Sequence, residues 1–264
     1  MIDNKIYKYL IENKEIIQEA IKLDNSKWGT AFSIEELLQV GKEASGRTYT
    51  SDFKTNPRKT YIVLYNGDPT ITLELSIIGA RLGLNIIFMI YDDMLATNTL
   101  LVKLMQQTME RHGTKTFVKL YTNIEKEDIR KSTKLADKII YIGDRFEYNN
   151  IRREYNIPVI YNGYGHVDVY TDVEVSGKYE EELKEIINYA FEHDIAVDFH
   201  SGNLEKELEY IDSDVAGDTC VIFSDDENKI KLLESKVNCK RIFINEDPFR
   251  EYKFKFDIDE LTTE

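Results

Sequence analysis

Thr60-Tyr61-Ile62-Val63-Leu64-Tyr65 runs directly into Asn66-Gly67-Asp68-Pro69-Thr70, and the next apolar run, Asn85-Ile86-Ile87-Phe88-Met89-Ile90-Tyr91, starts just after Gly83. The first six residues are β-branched, apolar or aromatic, the composition of a strand, and a turn cluster closes them. A helical stretch then ends near Gly83. The run Asn85–Tyr91 shows no polar alternation, which is the pattern of a strand covered on both faces.

The same alternation continues on both sides of this stretch. Towards the C-terminus the sequence predicts a helix over 95–111, a strand over 116–121, a helix over 125–135 and the strand Lys138–Ile142. Helix 144–155 and the strand Pro158–Tyr161 follow. Towards the N-terminus, residues 1 to about 55 read as helices. Ile6, Leu10, Ile16, Ile17, Ala20 and Ile21 recur near helical spacing, and Ser33-Ile34-Glu35-Glu36 offers an N-cap with acidic residues in the first turn. Strand and helix alternating at this pitch imply right-handed crossovers. The predicted class is α/β: a doubly wound, mostly parallel, Rossmann-like sheet with a second, smaller α/β domain.

That second domain begins with the strand Val167–Thr171. It continues with a helix over 178–192, the strand Ile195–Phe199, helix 203–211, the strand Thr219–Phe223, helix 226–237 and the strand Arg241–Asn245. The turn-rich Asn162-Gly163-Tyr164-Gly165 marks the boundary. The expected domains are therefore 1–163 and 164–249, with a tail over 250–264. Tyr252, Phe254, Phe256 and Ile258 alternate in the tail with Lys253, Lys255 and Asp257, the pattern of a half-buried strand.

Composition narrows the function classes. Of 264 residues, 42% are hydrophobic and 31% charged, a globular balance, and 48 Asp and Glu against 34 Lys and Arg leave a formal charge of −14. That excess repels phosphate backbones and anionic membrane surfaces, so neither nucleic acid nor membrane is expected as a partner. No run reaches the ~18 apolar residues of a spanning helix. Met1-Ile2-Asp3-Asn4-Lys5 leads into a polar helical pattern and not into an apolar signal core. Two cysteines, Cys220 and Cys239, make no disulfide scaffold and fit a reducing cytoplasm.

Asn66-Gly67-Asp68-Pro69-Thr70, the following helix and Gly83-Leu84-Asn85-Ile86-Ile87-Phe88 resemble the start of the cofactor domain of aldehyde dehydrogenases, most closely the acyl-phosphate and acyl-CoA reductase branches. Ile157-Pro158-Val159-Ile160, Gly163, Gly165 and His166-Val167-Asp168-Val169-Tyr170-Thr171-Asp172 are similar to the domain crossing of the gamma-glutamyl phosphate reductases. Cys220-Val221-Ile222-Phe223-Ser224-Asp225-Asp226, Val237 and Arg241-Ile242-Phe243-Ile244-Asn245 resemble the later strand–helix–strand of the same catalytic domain. The pieces occur in family order over residues 60 to 249. The resemblance makes 1–163 the N-terminal helices plus a cofactor-type domain, and 164–249 a reduced catalytic-type domain.

The resemblance also implies what this chain lacks. The family's nucleophile is a cysteine after the first long helix of the catalytic domain. Here the matching point falls near Ala196-Val197-Asp198, and Val197 cannot form a thioester. Only 44 residues, Val173 to Ala216, separate two segments that the enzymes hold much further apart. Cys220 falls in an apolar strand pattern and Cys239 just before a strand, so both read as buried structural thiols.

The implied cofactor is NAD or NADP in a weakened site, with Asn66, Asp92, Asp93, Gly143 and Arg145 as the candidate residues. Relatives place a ribose-contacting lysine just past the second strand. Asp92 and Asp93 stand there instead, either as acceptors for ribose hydroxyls or as the cap of the next helix. Gly143-Asp144 takes the place of a Gly-Ser turn that opens a helix beside the pyrophosphate. Asp144 adds negative charge there and Arg145 offsets it.

Two further sets carry chemistry by type. His193, Asp198 and His200 form the one candidate metal set, but their spacing matches no established motif and no metal is expected. His166 follows two glycines at the domain crossing, as an acid, base or ligand-orienting group, or as a structural residue. The sequence thus points to a divergent, truncated aldehyde-dehydrogenase-like protein that binds a nucleotide or small molecule in an interdomain cleft, or an interaction partner, without thiol chemistry. The alternatives are an active NAD(P)-dependent aldehyde or acyl oxidoreductase, and a regulatory or scaffolding subunit. The family's dimers pair a C-terminal β arm with a neighbouring subunit. Residues 252–258 suit that role in a homo-oligomer, or a strand packed on its own subunit.

Overall fold

Helix periodicity at the N-terminus becomes three helices, α1 (Ile2–Glu12), α2 (Lys14–Trp28) and α3 (Ile34–Gly46). The computed structural model describes residues 2–46, 59–90, 94–143, 145–162, 166–192, 195–213, 217–237, 239 and 241–249. The tail 252–258, Asp92, Asp93, Asp144 and His193 lie outside the described residues. The described residues of Met1–Ile142 and Asn150–Asn162 form one compact unit, and those of Gly143–Asn149 and Gly163–Lys253 form another.

In the first unit, β1 (Thr60–Tyr65), α4 (Pro69–Leu82), β2 (Asn85–Ile90), α5 (Leu95–Arg111), β3 (Val118–Thr122), α6 (Lys126–Thr133) and β4 (Lys138–Tyr141) follow in turn. After α7 (Arg145–Glu154), β5 (Val159–Tyr161) completes a sheet, A, of order β3-β2-β1-β4-β5. Its strand pairs are parallel, with Thr60 opposite Asn85 and Tyr61 opposite Lys138. β2 is buried at every residue, as its unbroken apolar run requires.

Helix α4 carries few polar residues because it has no solvent side. It packs on β2 and is covered by α1, α3 and α5, so Ile71, Leu73, Leu75, Ile77 and Ile78 are all buried. The helix also approaches the sheet closely: a Cβ on Gly79 would lie 2.8 Å from Ile86 Cγ1. Ile6, Leu10, Ile17 and Leu37 from the N-terminal helices join the same core. α3 starts on a reciprocal pair, with Ser33 N donating to Glu36 Oε2 at 2.8 Å and Glu36 N to Ser33 Oγ at 3.2 Å.

The second unit is built from β6 (His166–Thr171), α8 (Glu180–Glu192), β7 (Val197–Ser201), α9 (Leu204–Ser213), β8 (Gly217–Phe223), α10 (Glu227–Lys236) and β9 (Arg241–Ile244). Its sheet, B, has the order β7-β6-β8-β9, also in parallel pairs. Alternation along the strands splits the core. Val167, Val169, Val221 and Phe223 pack with Ile186 and Ala190 of α8. Tyr170, Cys220 and Ile222 pack with Leu204, Leu208 and Ile211 of α9 and Leu233 of α10.

β7 lies two residues later than its sequence predicts. Ile195 N is spent on Ala190 O at 2.9 Å, which closes the end of α8. Ile195 therefore packs into the core as a connector, and pairing starts at Val197 opposite Val167. Among the described residues no helix is long and apolar enough to cross a membrane.

Candidate functional site

Sheet A reverses its direction of growth between β1 and β4, because the chain runs outwards through β2 and β3 before crossing to β4. In open parallel sheets, ligands sit at the carboxyl ends of the strands beside such a reversal. Here that edge begins with Asn66-Gly67-Asp68. Gly67 takes φ +108°, which a side chain would resist. Asn66 is exposed, and its Oδ1 accepts from Asp68 N at 3.2 Å.

A buried network holds this turn from beneath. Asn98 Nδ2 donates to the carbonyl of Gly67 and to Met94 O, while Thr72 Oγ1 donates to Asn98 Oδ1. Tyr65 OH bonds Thr72 Oγ1, and Ser76 Oγ donates to Thr72 O at 2.6 Å. Burial drives the Tyr65 phenol far above its ordinary range, against a smaller opposing effect of the Thr72 bond. The hydroxyl is thus a permanent donor. Every member has a partner, so the network fixes the turn rigidly.

The start of α4 does not fit a pyrophosphate. Asp68 Oδ1 accepts Thr70 N and Thr70 Oγ1, each at 2.8 Å, and Pro69 supplies no N–H. The positive end of the helix is already occupied by a carboxylate of the chain itself. Across the reversal, Ile142 N still bonds Leu64 O at 2.9 Å, and half-buried Gly143 comes next. Arg145 is the first residue of α7. Asn66 belongs to the first compact unit, whereas Gly143 and Arg145 belong to the second.

In the second unit the α9 face of sheet B carries a charged cluster. His200 on β7 is opposite Tyr170, one pleat beyond Asp168. Its Nε2 stands 3.0 Å from Asp168 Oδ1 and its Nδ1 3.1 Å from Glu207 Oε2 of α9. Asp168 is 1% exposed. An imidazolium donates to both carboxylates at once, whereas a neutral ring donates to one. His200 therefore ties β6, β7 and α9 together, and neither ring nitrogen is turned towards an outside ligand. Asp198 is exposed and lies opposite Asp168. Among the described residues, no group of three or more His, Cys, Asp or Glu is placed to hold a metal ion. His166 opens β6, where the register with β8 slips before Val167.

Asp168 and Glu207 are the partners that spacing alone did not reveal. The available signal was a carboxylate inside the otherwise apolar strand Val167-Asp168-Val169, since a buried charge needs a partner.

Sheet B has its own reversal, between β6 and β8, and its carboxyl edge is filled from within. Lys229 Nζ meets buried Asp172 Oδ2 at 2.6 Å, and Ser224 Oγ donates to the same oxygen at 3.2 Å. The Lys229 bond, opposed by burial, holds the Asp172 carboxyl below the usual range. Asn245, at φ +56°, accepts from Ser224 N at 2.9 Å and donates Nδ2 to Ser224 O at 3.0 Å. This edge is a brace rather than a cleft.

The cysteines stand apart from both edges. Cys220 lies buried in β8, and Cys239 is half-buried ahead of β9. The Cys239 hydrogen bond, burial and the Asp168 charge all push the Cys220 thiol far above its ordinary range, so it stays protonated.

No protein-family model matches this sequence, and no curated protein matches it. Solved structures do match. The gamma-glutamyl phosphate reductase of Thermotoga maritima superposes with a TM-score of 0.63 at 14% identity, over 92% of this chain and 81% of that one. An acetylating aldehyde dehydrogenase of Geobacillus thermoglucosidasius gives 0.66 at 14% identity, over 93% and 81%. The succinic semialdehyde dehydrogenase of Streptococcus pyogenes, solved in complex with NADP+ as the cofactor, gives 0.62 at 8% identity, over 93% and 81%. The chain has the aldehyde dehydrogenase fold. Identities this low speak to fold alone.

Proposed function

We propose that the chain is a divergent member of the aldehyde dehydrogenase superfamily that binds a nicotinamide nucleotide at the carboxyl edge of sheet A and has lost thiol-based catalysis. The observation that carries the second half is the place of its cysteines. Cys220 sits fully buried in the α9/α10 core of the second unit with its thiol held protonated, and Cys239 packs half-buried against that core. At the α8–β7 junction, where the resemblance puts the nucleophile, pairing begins at Val197. The short stretch Val173 to Ala216 supports an internally reduced catalytic domain.

Two points support the nucleotide half. The turn at Asn66 is exposed and rigidly braced at a strand-order reversal, and a structural neighbour holds NADP+ in the same fold. Such a cofactor supplies a hydride donor or acceptor. On this reading the candidates that the sequence resemblance supplies stay in place: Gly143 and Arg145 for the phosphates, and Asp92 or Asp93, outside the described residues, for a ribose. An acidic residue there favours NAD over NADP, whose 2′-phosphate it repels.

The test is a thermal-shift titration with NAD, NADP and a CoA ester. Ligand at about 100 times its Kd adds roughly 2.7 kcal/mol to the folded state, and so raises Tm measurably. NAD is expected to give the largest shift. If no nucleotide moves Tm at millimolar concentration, the nucleotide reading falls. Aldehyde or acyl-phosphate turnover that disappears in Cys220→Ser or Cys239→Ser would overturn the loss of thiol chemistry and favour the active oxidoreductase.

A further inference from the structure

The turn after β1 fixes a side-chain amide as well as a backbone. Asn98 Nδ2 lies between the carbonyls of Gly67 and Met94, which can only accept, so the orientation of this buried amide is set. Its Oδ1 then accepts from Thr72 Oγ1, and Thr72 in turn accepts from the Tyr65 phenol, which burial keeps protonated. Donor and acceptor roles thus run in one direction, from Tyr65 through Thr72 and Asn98 to the Gly67 carbonyl.

A trans peptide is planar, with its N–H opposite its C=O. Drawing the Gly67 carbonyl inward therefore aims the Asp68 N–H outward, and there it meets Asn66 Oδ1 at 3.2 Å. With its oxygen held on this N–H, the Asn66 amide turns Nδ2 the other way. Asn66 is exposed, and its Nδ2 makes no hydrogen bond among the described residues. The network beneath the turn thus presents a donor in one orientation at the strand-order reversal of sheet A.

On the strength of the nucleotide reading of this edge, we propose that Tyr65, Thr72 and Asn98 are positioning residues that hold Asn66 Nδ2 as a donor to an uncharged ligand oxygen. Charge selects that class of oxygen. The Asp68 carboxylate, held by Thr70 N and Thr70 Oγ1 in the same turn, repels a phosphate oxygen but not a hydroxyl or a carbonyl. A nicotinamide nucleotide offers such oxygens on its ribose hydroxyls and on its carboxamide. Asn66 touches the ligand, whereas the three residues beneath act through the Gly67–Asp68 peptide.

The experiment measures the Kd of NAD for the full chain by isothermal titration, well below its Tm. Asn66→Ala, at an exposed position, is expected to raise Kd about fivefold, the loss of one hydrogen bond. Thr72→Val, which leaves Asn98 Oδ1 without its donor, gives a rise of the same order, and Thr72→Ser, which keeps the hydroxyl, restores the wild-type Kd. Tyr65→Phe, a milder break in the same chain of bonds, raises Kd in the same direction. Added to Asn66→Ala, Thr72→Val gives no further rise, because it acts only through that amide. ADP-ribose, which lacks the nicotinamide, separates the two oxygen sources: a matching loss assigns a ribose hydroxyl, and a loss confined to NAD assigns the carboxamide. A wild-type Kd in Asn66→Ala, or losses that multiply in the double variant, overturns the positioning role while the nucleotide reading stands. A wild-type chain that leaves NAD unbound overturns both.

Discussion

Asp24→Ala tests how the first unit holds the carboxyl edge of sheet A. Helix α5 begins after Met94, which takes φ +47° and offers no side-chain cap. The cap comes from α2 instead. Asp24, 3% exposed, accepts Ala96 N on Oδ1 at 3.1 Å, and Thr97 N and Thr97 Oγ1 on Oδ2, each at 2.7 Å. One turn further on, Asn98 bonds Gly67, so this cap also steadies the turn at Asn66. Alanine leaves two amides without an acceptor, at about 1–3 kcal/mol each, and removes a charge favourable to the helix dipole by up to ~1 kcal/mol. Relief of the carboxylate's own desolvation returns part of this. The net loss is about 3 kcal/mol. Thr97→Val, which removes only the hydroxyl bond, costs about 1 kcal/mol. Trp28, the single tryptophan, ends α2 and reports this unit alone, which avoids treating a two-unit chain as two-state. In urea followed by Trp28 emission, with a slope of about 2 kcal/mol/M, Asp24→Ala lowers the midpoint by about 1.5 M. A shift below about 0.5 M at unchanged slope refutes the remote cap as a stabilising device.

Three other outcomes follow from the same structure. Gly79→Ala gains about 1 kcal/mol of helix propensity but forces a Cβ to 2.8 Å from Ile86 Cγ1. Overpacking of about 1–3 kcal/mol outweighs that gain, and a raised urea midpoint would contradict it. Asp172 titrates below its ordinary 3.8 in the folded chain. Its contribution is therefore complete above about pH 4 and is lost as pH falls through the depressed value. Lys229→Met removes that dependence, so the Tm gap between variant and wild type should narrow on acidification; a constant gap counts against the ion pair. NAD should raise Tm more than NADP, and equal shifts would remove the role given to Asp92 and Asp93.

The strands were legible because their cause is local. Ile86–Ile90 is apolar at every position, and the strand Asn85–Ile90 is buried throughout. The turn Asn66-Gly67-Asp68-Pro69 was legible as a turn for the same reason. What braces it was not: Asn98 is 31 positions from Gly67, and no periodicity links them. β7 was misplaced by two residues because Ile195 looks like strand but closes α8. His200 and Asp198 were visible as polar residues, yet the partners of His200 come from β6 and α9.

By itself the sequence determined the α/β class, the order of strands and helices, the absence of a cysteine near Val197, and the acidic character of the chain. These follow from residue type and from periods of two and 3.6, which are properties of short segments. Tertiary structure decided that Asp24 caps α5, that Asn98 braces the turn at Gly67, and that His200 is held between two carboxylates. Each of these joins residues far apart in the chain. Such contacts depend on which side chains the packed layers bring together, and buried polar groups then take the partners that packing supplies.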